Sequence, residues 1–230
     1  MEDLVLTSLW LGFALGLTHA LDPDHLVAVG TMAVESESIR RSSALGIFWG
    51  MGHTMALALI GGVVLTLKWT IPEFLATGME AISAVMIIFL GGSLVWHAAQ
   101  SLTVHSHAHT HGDTQHSHFH THPRGQEIHH SHFFGSGHKA FAVGMVHGMA
   151  GSAVLTLAVM TTMPSTLLGL FYILVFGVGS IGGMLFMSAV MSLPFVLTSG
   201  WMGPWQTRLK GFVGFFAMAF GGYLAWSLLA

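Results

Sequence analysis

The sequence of 230 residues contains no cysteine. Disulfides, thiolate zinc sites, iron–sulfur clusters and thiol redox chemistry are thereby excluded. Charge is almost as scarce. Only 7% of residues are Asp, Glu, Lys or Arg, against about 25% in a soluble domain. So few charges cannot give a globule of this size a wettable surface, which excludes an ordinary soluble enzyme. The formal net charge of −3 offers no basic face for nucleic acid. A Walker-type phosphate loop is absent, so the chain itself does not hydrolyse ATP. What is plentiful is apolar residues, at 53%, together with 29 glycines and 17 histidines. The first two describe a polytopic helical membrane protein, in which glycine allows helices to approach closely.

A spanning helix needs about 20 mainly apolar residues. Six such segments are expected: 4–34, interrupted near Asp22-Pro23, then 44–67, 74–100, 140–162, 165–199 and 209–230. Pro194 is expected to kink or end the fifth. The start Met1-Glu2-Asp3 lacks the positive region of a signal peptide, so the first segment reads as retained. Arg40, Arg41, Arg124, Lys139, Arg208 and Lys210 fall in the loops after spans one, three and five, and Lys68 alone lies opposite. The positive-inside rule then predicts a cell-membrane protein with those loops cytoplasmic and both termini outside.

The two halves of the chain resemble each other. Gly16-Leu17-Thr18-His19 aligns with Gly144-Met145-Val146-His147, and Trp49-Gly50-Met51-Gly52-His53 with Phe176-Gly177-Val178-Gly179-Ser180. Gly91-Gly92-Ser93-Leu94-Val95-Trp96 aligns with Gly221-Gly222-Tyr223-Leu224-Ala225-Trp226. Three matches in order, at nearly constant offset, point to a duplication. Three spans per copy is odd, so the second copy enters the bilayer from the opposite side, an arrangement typical of transporters with a midplane site. The predicted architecture is all-α, six transmembrane helices as two inverted three-helix repeats, 1–100 and 138–230, joined by a histidine-rich cytoplasmic loop, 101–137.

The densest chemistry lies in His19-Ala20-Leu21-Asp22-Pro23-Asp24-His25. A charged group at the bilayer centre costs roughly 2.5–3.5 kcal/mol, so such groups mark functional sites by default. On one continuous helix His19, Asp22 and His25 would share a side, but Asp22 is a good N-cap and Pro23 a good first helical residue. A break here would expose backbone groups beside the carboxylates, as at transporter ion sites. A polar turn at the membrane surface is the bland alternative. His53, between small residues, can face this cluster. His147 is the counterpart of His19 but has no neighbouring carboxylate in sequence. Ser180, the counterpart of His53, is a candidate path residue, and His97 reads as interfacial. Imidazole with carboxylate suits a divalent transition metal. The run Gly177-Val178-Gly179-Ser180-Ile181-Gly182 imitates a dinucleotide motif, but it lies in an apolar segment with no preceding strand. Gly179 and Gly183 instead suit a close helix contact.

Between His105 and His132 lie eleven histidines among Ser, Thr, Gly and Gln. Few large apolar residues and no helical period predict disorder. Clustered imidazoles bind divalent metals, loosely where a flexible chain must be ordered. A buffer, sensor or hand-off segment is the functional reading, and a plain polar tether the other.

At these residues the chain resembles a known family. His19-Ala20-Leu21-Asp22-Pro23-Asp24-His25 resembles the signature of the nickel/cobalt transporter (NiCoT/NicO) superfamily, and Gly52-His53-Thr54 its second motif. The segments Val146-His147-Gly148-Met149-Ala150-Gly151-Ser152 and Gly179-Ser180-Ile181-Gly182-Gly183-Met184 resemble the urease accessory UreH-like branch. The resemblance covers essentially the whole chain. It implies a multi-pass permease, not an enzyme, in which His19, Asp24, His25 and His53 contact the metal. Pro23 stands where the larger, eight-span carriers usually have Ala, and their acidic motifs in the second half are missing.

The expected function is movement of Ni2+, with Co2+ next, across the cell membrane, with uptake as the expected direction. His19, Asp22, Asp24, His25, His53 and His147 are the candidate ligands, the metal is the transported substrate and no organic cofactor is expected. A cytoplasmic metallochaperone is a further candidate partner. Alternatives are an efflux carrier of the same superfamily, a membrane accessory protein that binds metal for a metalloenzyme such as urease, and a membrane enzyme or electron carrier with haem. The last is disfavoured because the histidines do not form two opposed pairs. Metal binding needs neutral imidazole, whose ordinary titration lies near pH 6.5. Protons therefore compete as pH falls, and transport of limiting metal should weaken between about pH 7.5 and 5.5. An unchanged rate across that range would count against histidine ligation.

Overall fold

A computed structural model describes residues 2–36, 38–101, 105–111, 114–120, 133–149, 163, 165–198 and 203–229. The chain opens with two short helices, α1 (Glu2–His19) and α2 (Pro23–Ala33). Between them, the Leu21 amide donates to the Thr18 carbonyl at 2.8 Å and the Asp22 amide to that of His19 at 3.1 Å, closing α1 in a tight turn. Pro23 then starts α2 at the position where a missing N–H costs nothing. Asp22 occupies the N-cap position, yet its side chain makes no capping bond. A stabilisation of about 1 kcal/mol is forgone, because that carboxylate is engaged elsewhere.

The long helix α3 (Ile39–Leu67) begins where Ser38 Oγ accepts from the Arg41 amide at 3.3 Å. It ends where Lys68 turns left-handed, φ 50°, and its amide bonds the Val64 carbonyl. Then follow α4 (Glu73–Ser101), the antiparallel strands β1 (His105–His111) and β2 (Thr114–His120), α5 (Phe133–Gly148), α6 (Thr166–Thr198) and α7 (Gly203–Ser227).

Among the described residues, four helices are long and apolar enough to cross a membrane: Ile39–Leu67, Glu73–Gln100, Thr166–Thr198 and Trp205–Ser227. Their outer faces are apolar as well. Phe89, Phe171, Phe212, Phe215 and Trp226 stand exposed, as side chains facing lipid do and those facing water rarely do. The protein is a multi-pass membrane protein. The other two expected segments are the broken pair α1–α2 and the stretch that α5 opens, whose later part lies outside the described residues.

The helices pack on glycine. α3 lies against both α5 and α6, α1 against α6, and α4 against α7. A Cβ on Gly16 would meet the Phe176 carbonyl of α6, and one on Gly144 the Trp49 carbonyl of α3. Gly179 approaches Phe13 and Leu17 of α1 as Gly52 approaches Phe141 and Met145 of α5. Gly91 meets Gly214 and Met218, and Gly221 meets Ala84 and Ile88. Each contact is matched by one between the aligned residues of the other half.

Two expectations change. α6 does not end at Pro194 but continues to Thr198. A proline this close to a C-terminus forfeits a single backbone bond, and Gln206 Nε2 donates to the Phe195 carbonyl in the helix's last turn at 3.0 Å. The histidine loop is not wholly disordered either. Its backbone pairs His105 with His120, His107 with His118 and His109 with His116. The overlooked signal is that histidine recurs at every second position on both sides of Gly112-Asp113, a period-two hairpin pattern. Residues 121–132 lie outside the described residues.

Candidate metal centre

The helix break places its polar residues against the middle of the bundle. His19 ends α1, Asp24 and His25 lie in the first turn of α2, His53 is midway along α3 and His147 is near the end of α5. The four histidines come from four elements and are all buried, three of them with no exposure at all. Apolar neighbours close the site: the Phe176 ring lies 5.4 Å from that of His19, and the Trp49 ring 5.5 Å from His25 and 5.6 Å from His147.

The imidazoles are oriented from behind. His19 Nδ1 donates to Asp22 Oδ2 at 2.8 Å, and His25 Nδ1 donates to Asp24 Oδ1 at 3.0 Å. With the proton held on Nδ1, each Nε2 presents its lone pair inward. Carboxylates backing metal-binding histidines act in this way, fixing the tautomer and raising basicity. His19 Nε2 and His53 Nε2 then face each other at 3.1 Å. Two nitrogens sharing one ion, with bonds of about 2.0–2.1 Å, sit about 3.0–3.4 Å apart. An N–H···N bond would satisfy this pair with one proton; a cation accepts both lone pairs.

His25 Nε2, His53 Nδ1 and His147 Nδ1 are buried and have no hydrogen-bond partner among the described residues. Orphaned polar atoms of this kind are rare in a packed interior and call for an explanation. Ligand atoms of His19, His25 and His53 lie within 4.8 Å of one another, as do those of Asp24, His25 and His147. The arrangement suits a divalent cation held by imidazole and carboxylate.

Five of the six candidate residues, His19, Asp24, His25, His53 and His147, are brought together here. Asp22 stands apart from both groups, its carboxylate being 42% exposed and bonded to His19. His147, without a carboxylate in sequence, has one in space: its Nε2 donates to Asp24 Oδ2 at 3.0 Å. His97 lies outside the centre, its exposed side chain 3.6 Å from that of Glu35. Ser180 is fully buried and its Oγ has no partner among the described residues. The aromatic walls were not singled out from sequence, although the internal alignment pairs Trp49 with Phe176.

The profile of the NicO family, described as high-affinity nickel-transport protein, matches residues 5–220. The urease accessory protein UreH of Bacillus sp. (strain TB-90) is 33% identical over 197 residues, covering 85% of this chain and 80% of that protein. Chloroplast proteins FOR GROWTH AND FERTILITY 1 and 2 of Arabidopsis thaliana are 28% and 26% identical over 76% and 77% of this chain. The chain spans about half of those two plant proteins, 47% and 45% of their lengths. No solved structure matches it. The match over nearly the whole length and the shared identity place it: the chain belongs to the NicO family of high-affinity nickel-transport proteins.

Proposed function

We propose that this protein carries a divalent transition metal ion, Ni2+ first and Co2+ next, into the cell through the buried histidine–aspartate centre. The convergence of His19, His25 and His53 from α1, α2 and α3 into one buried donor set is the observation that carries this reading. Three neutral imidazoles suit these ions, and no thiol is present to favour Cu+. Asp22 and Asp24 bring two negative charges against the two positive charges of the ion. The loaded centre is then near neutral, which lowers the cost of holding a charge within lipid.

In this reading α1–α2 and the segment opened by α5 complete six spans with the four long helices. The matched glycine contacts support two inverted repeats, 1–100 and 138–230, that rock about the centre and expose it alternately. Residues 101–137 and the basic loops face the cytoplasm, where a metallochaperone would receive the ion. A membrane potential of ~100 mV, negative inside, favours entry of a divalent cation by about 4.6 kcal/mol, twice ~2.3 per charge.

Counterflow of radioactive nickel in proteoliposomes, with cobalt, zinc, iron and manganese as competitors, tests the reading. Saturable exchange inhibited best by cobalt is expected. The name of the Bacillus relative, a urease accessory protein, favours a second reading in which the chain binds metal for a metalloenzyme without moving it. Metal binding without exchange would establish that reading. Cells that accumulate less nickel when expressing the protein would establish efflux instead. Deleting residues 106–131 is expected to leave transport at saturating nickel largely intact, because no ligand of the centre lies there; complete loss would make the loop an essential part of the carrier.

A further inference from the structure

Asp24 links the three-imidazole set to a histidine outside it. Its two carboxylate oxygens are divided: Oδ1 takes His25 Nδ1 and Oδ2 takes His147 Nε2, each at 3.0 Å. The His147 ring lies 4.2 Å from that of His25 but 6.4 Å from that of His53. Two donor groups result. His147 falls outside the group of His19, His25 and His53, while His19 and His53 fall outside the group of Asp24, His25 and His147. His25 alone belongs to both.

We infer that His25 is a two-faced ligand and that the ion occupies two successive positions, one on His19, His25 Nε2 and His53, the other on Asp24, His25 Nδ1 and His147. This rests on the transport reading and refines it. The two nitrogens of an imidazole point away from each other in the ring plane, so one ion cannot use both. His25 Nε2 is buried and unpartnered among the described residues, whereas Nδ1 faces the Asp24 carboxylate. Coordination through Nδ1 requires the other tautomer: Nδ1 gives up its proton and Nε2, released by the ion, takes one, while at His147 the unpartnered Nδ1 takes the proton that Nε2 gives up. The first position draws on α1, α2 and α3. The second keeps α2 and replaces the others with α5, so passing the ion between them transfers it from first-half ligands to a second-half one. Two divalent ions side by side in a low-dielectric interior would repel strongly, so occupancy alternates. The positions also differ in kind: three neutral donors against a set with a carboxylate oxygen. An ion leaving the first therefore exchanges the imidazoles of His19 and His53 for the charged carboxylate of Asp24 and the imidazole of His147.

Trp49 makes the inference testable, because its buried ring lies beside both His25 and His147. Quenching of its fluorescence by Ni2+, taken as the signal of the full-length protein less that of a matched Trp49→Phe protein, reports this centre and not the histidine loop. His147→Gln is expected to keep Ni2+ affinity within about threefold while proteoliposome uptake falls at least about tenfold. His53→Ala is expected to lose both. If His147→Gln loses affinity and uptake in equal proportion, one shared position holds the ion and the two-position inference is overturned. Wild-type uptake by His147→Gln overturns it as well. His147→Asn, read in the same two ways, serves where the glutamine variant does not fold. Failure of the wild-type protein to exchange nickel would instead remove the transport reading itself.

Discussion

His53→Ala is expected to reach the membrane as a folded protein and to carry nickel at least about 100-fold more slowly than the wild type. The magnitude follows from what the side chain does. Groups that merely orient metal ligands are worth roughly 10–100-fold in affinity or activity, and His53 stands among the donors themselves, its Nε2 3.1 Å from that of His19. His19→Ala should match it, since it removes the other half of the pair. Asp22→Asn and Asp24→Asn should cost about 10–100-fold, because an amide holds the imidazole proton less firmly and carries no charge. Folding is not the cause of these losses: α3 is anchored on α5 and α6 along its length, far beyond one histidine. Expression level and elution from a sizing column in detergent check this, and uptake of radioactive nickel gives the rate. Wild-type uptake by His19→Ala, Asp24→Ala and His53→Ala together would refute the assigned centre.

Gly144→Val should do more damage than any substitution of equal size on the outer face, although it touches no metal ligand. A Cβ at Gly144 would fall on the Trp49 carbonyl of α3, and backbone cannot rotate out of the way. The two helices must separate, which costs about 1–3 kcal/mol in overpacking alone. The separation also draws His147 on α5 away from Asp24 and His25. Nickel uptake should drop by at least about tenfold, as for His147→Gln, and the melting temperature in detergent should fall. Gly222→Val and Gly78→Val, where nothing lies within 4 Å, should leave both unchanged. Equal behaviour of all three variants would mean that the close helix approach does not hold the centre together.

Much of this was legible along the chain, for a physical reason in each case. Asp22-Pro23 announced a helix break because an N-cap residue followed by proline has few other uses inside an apolar segment. His19, His25 and His53 stood out because an imidazole in a membrane segment is costly unless it serves. The partnership of His147 was not legible. Asp24 and His147 are 123 positions apart, and their contact exists only because Gly52 and Gly148 let α5 settle against α3. The division of labour between the carboxylates was hidden as well. Asp22 and Asp24 look equivalent in sequence, yet one turns back to His19 while the other bridges two rings. The hairpin of β1 and β2 is legible in its period of two, although the polarity of the same stretch argues for disorder.

Composition and spacing alone determined that the chain inhabits a membrane, where its first helix breaks and which side-chain chemistry it carries there. These are local properties: hydropathy, proline geometry and the cost of burying an ionisable group act over a few neighbouring residues. Which imidazoles meet was decided only by the packing of α1, α2, α3 and α5. That depends on how closely distant backbones approach, and the approach is set by pairs of glycines whose partners the linear order does not name.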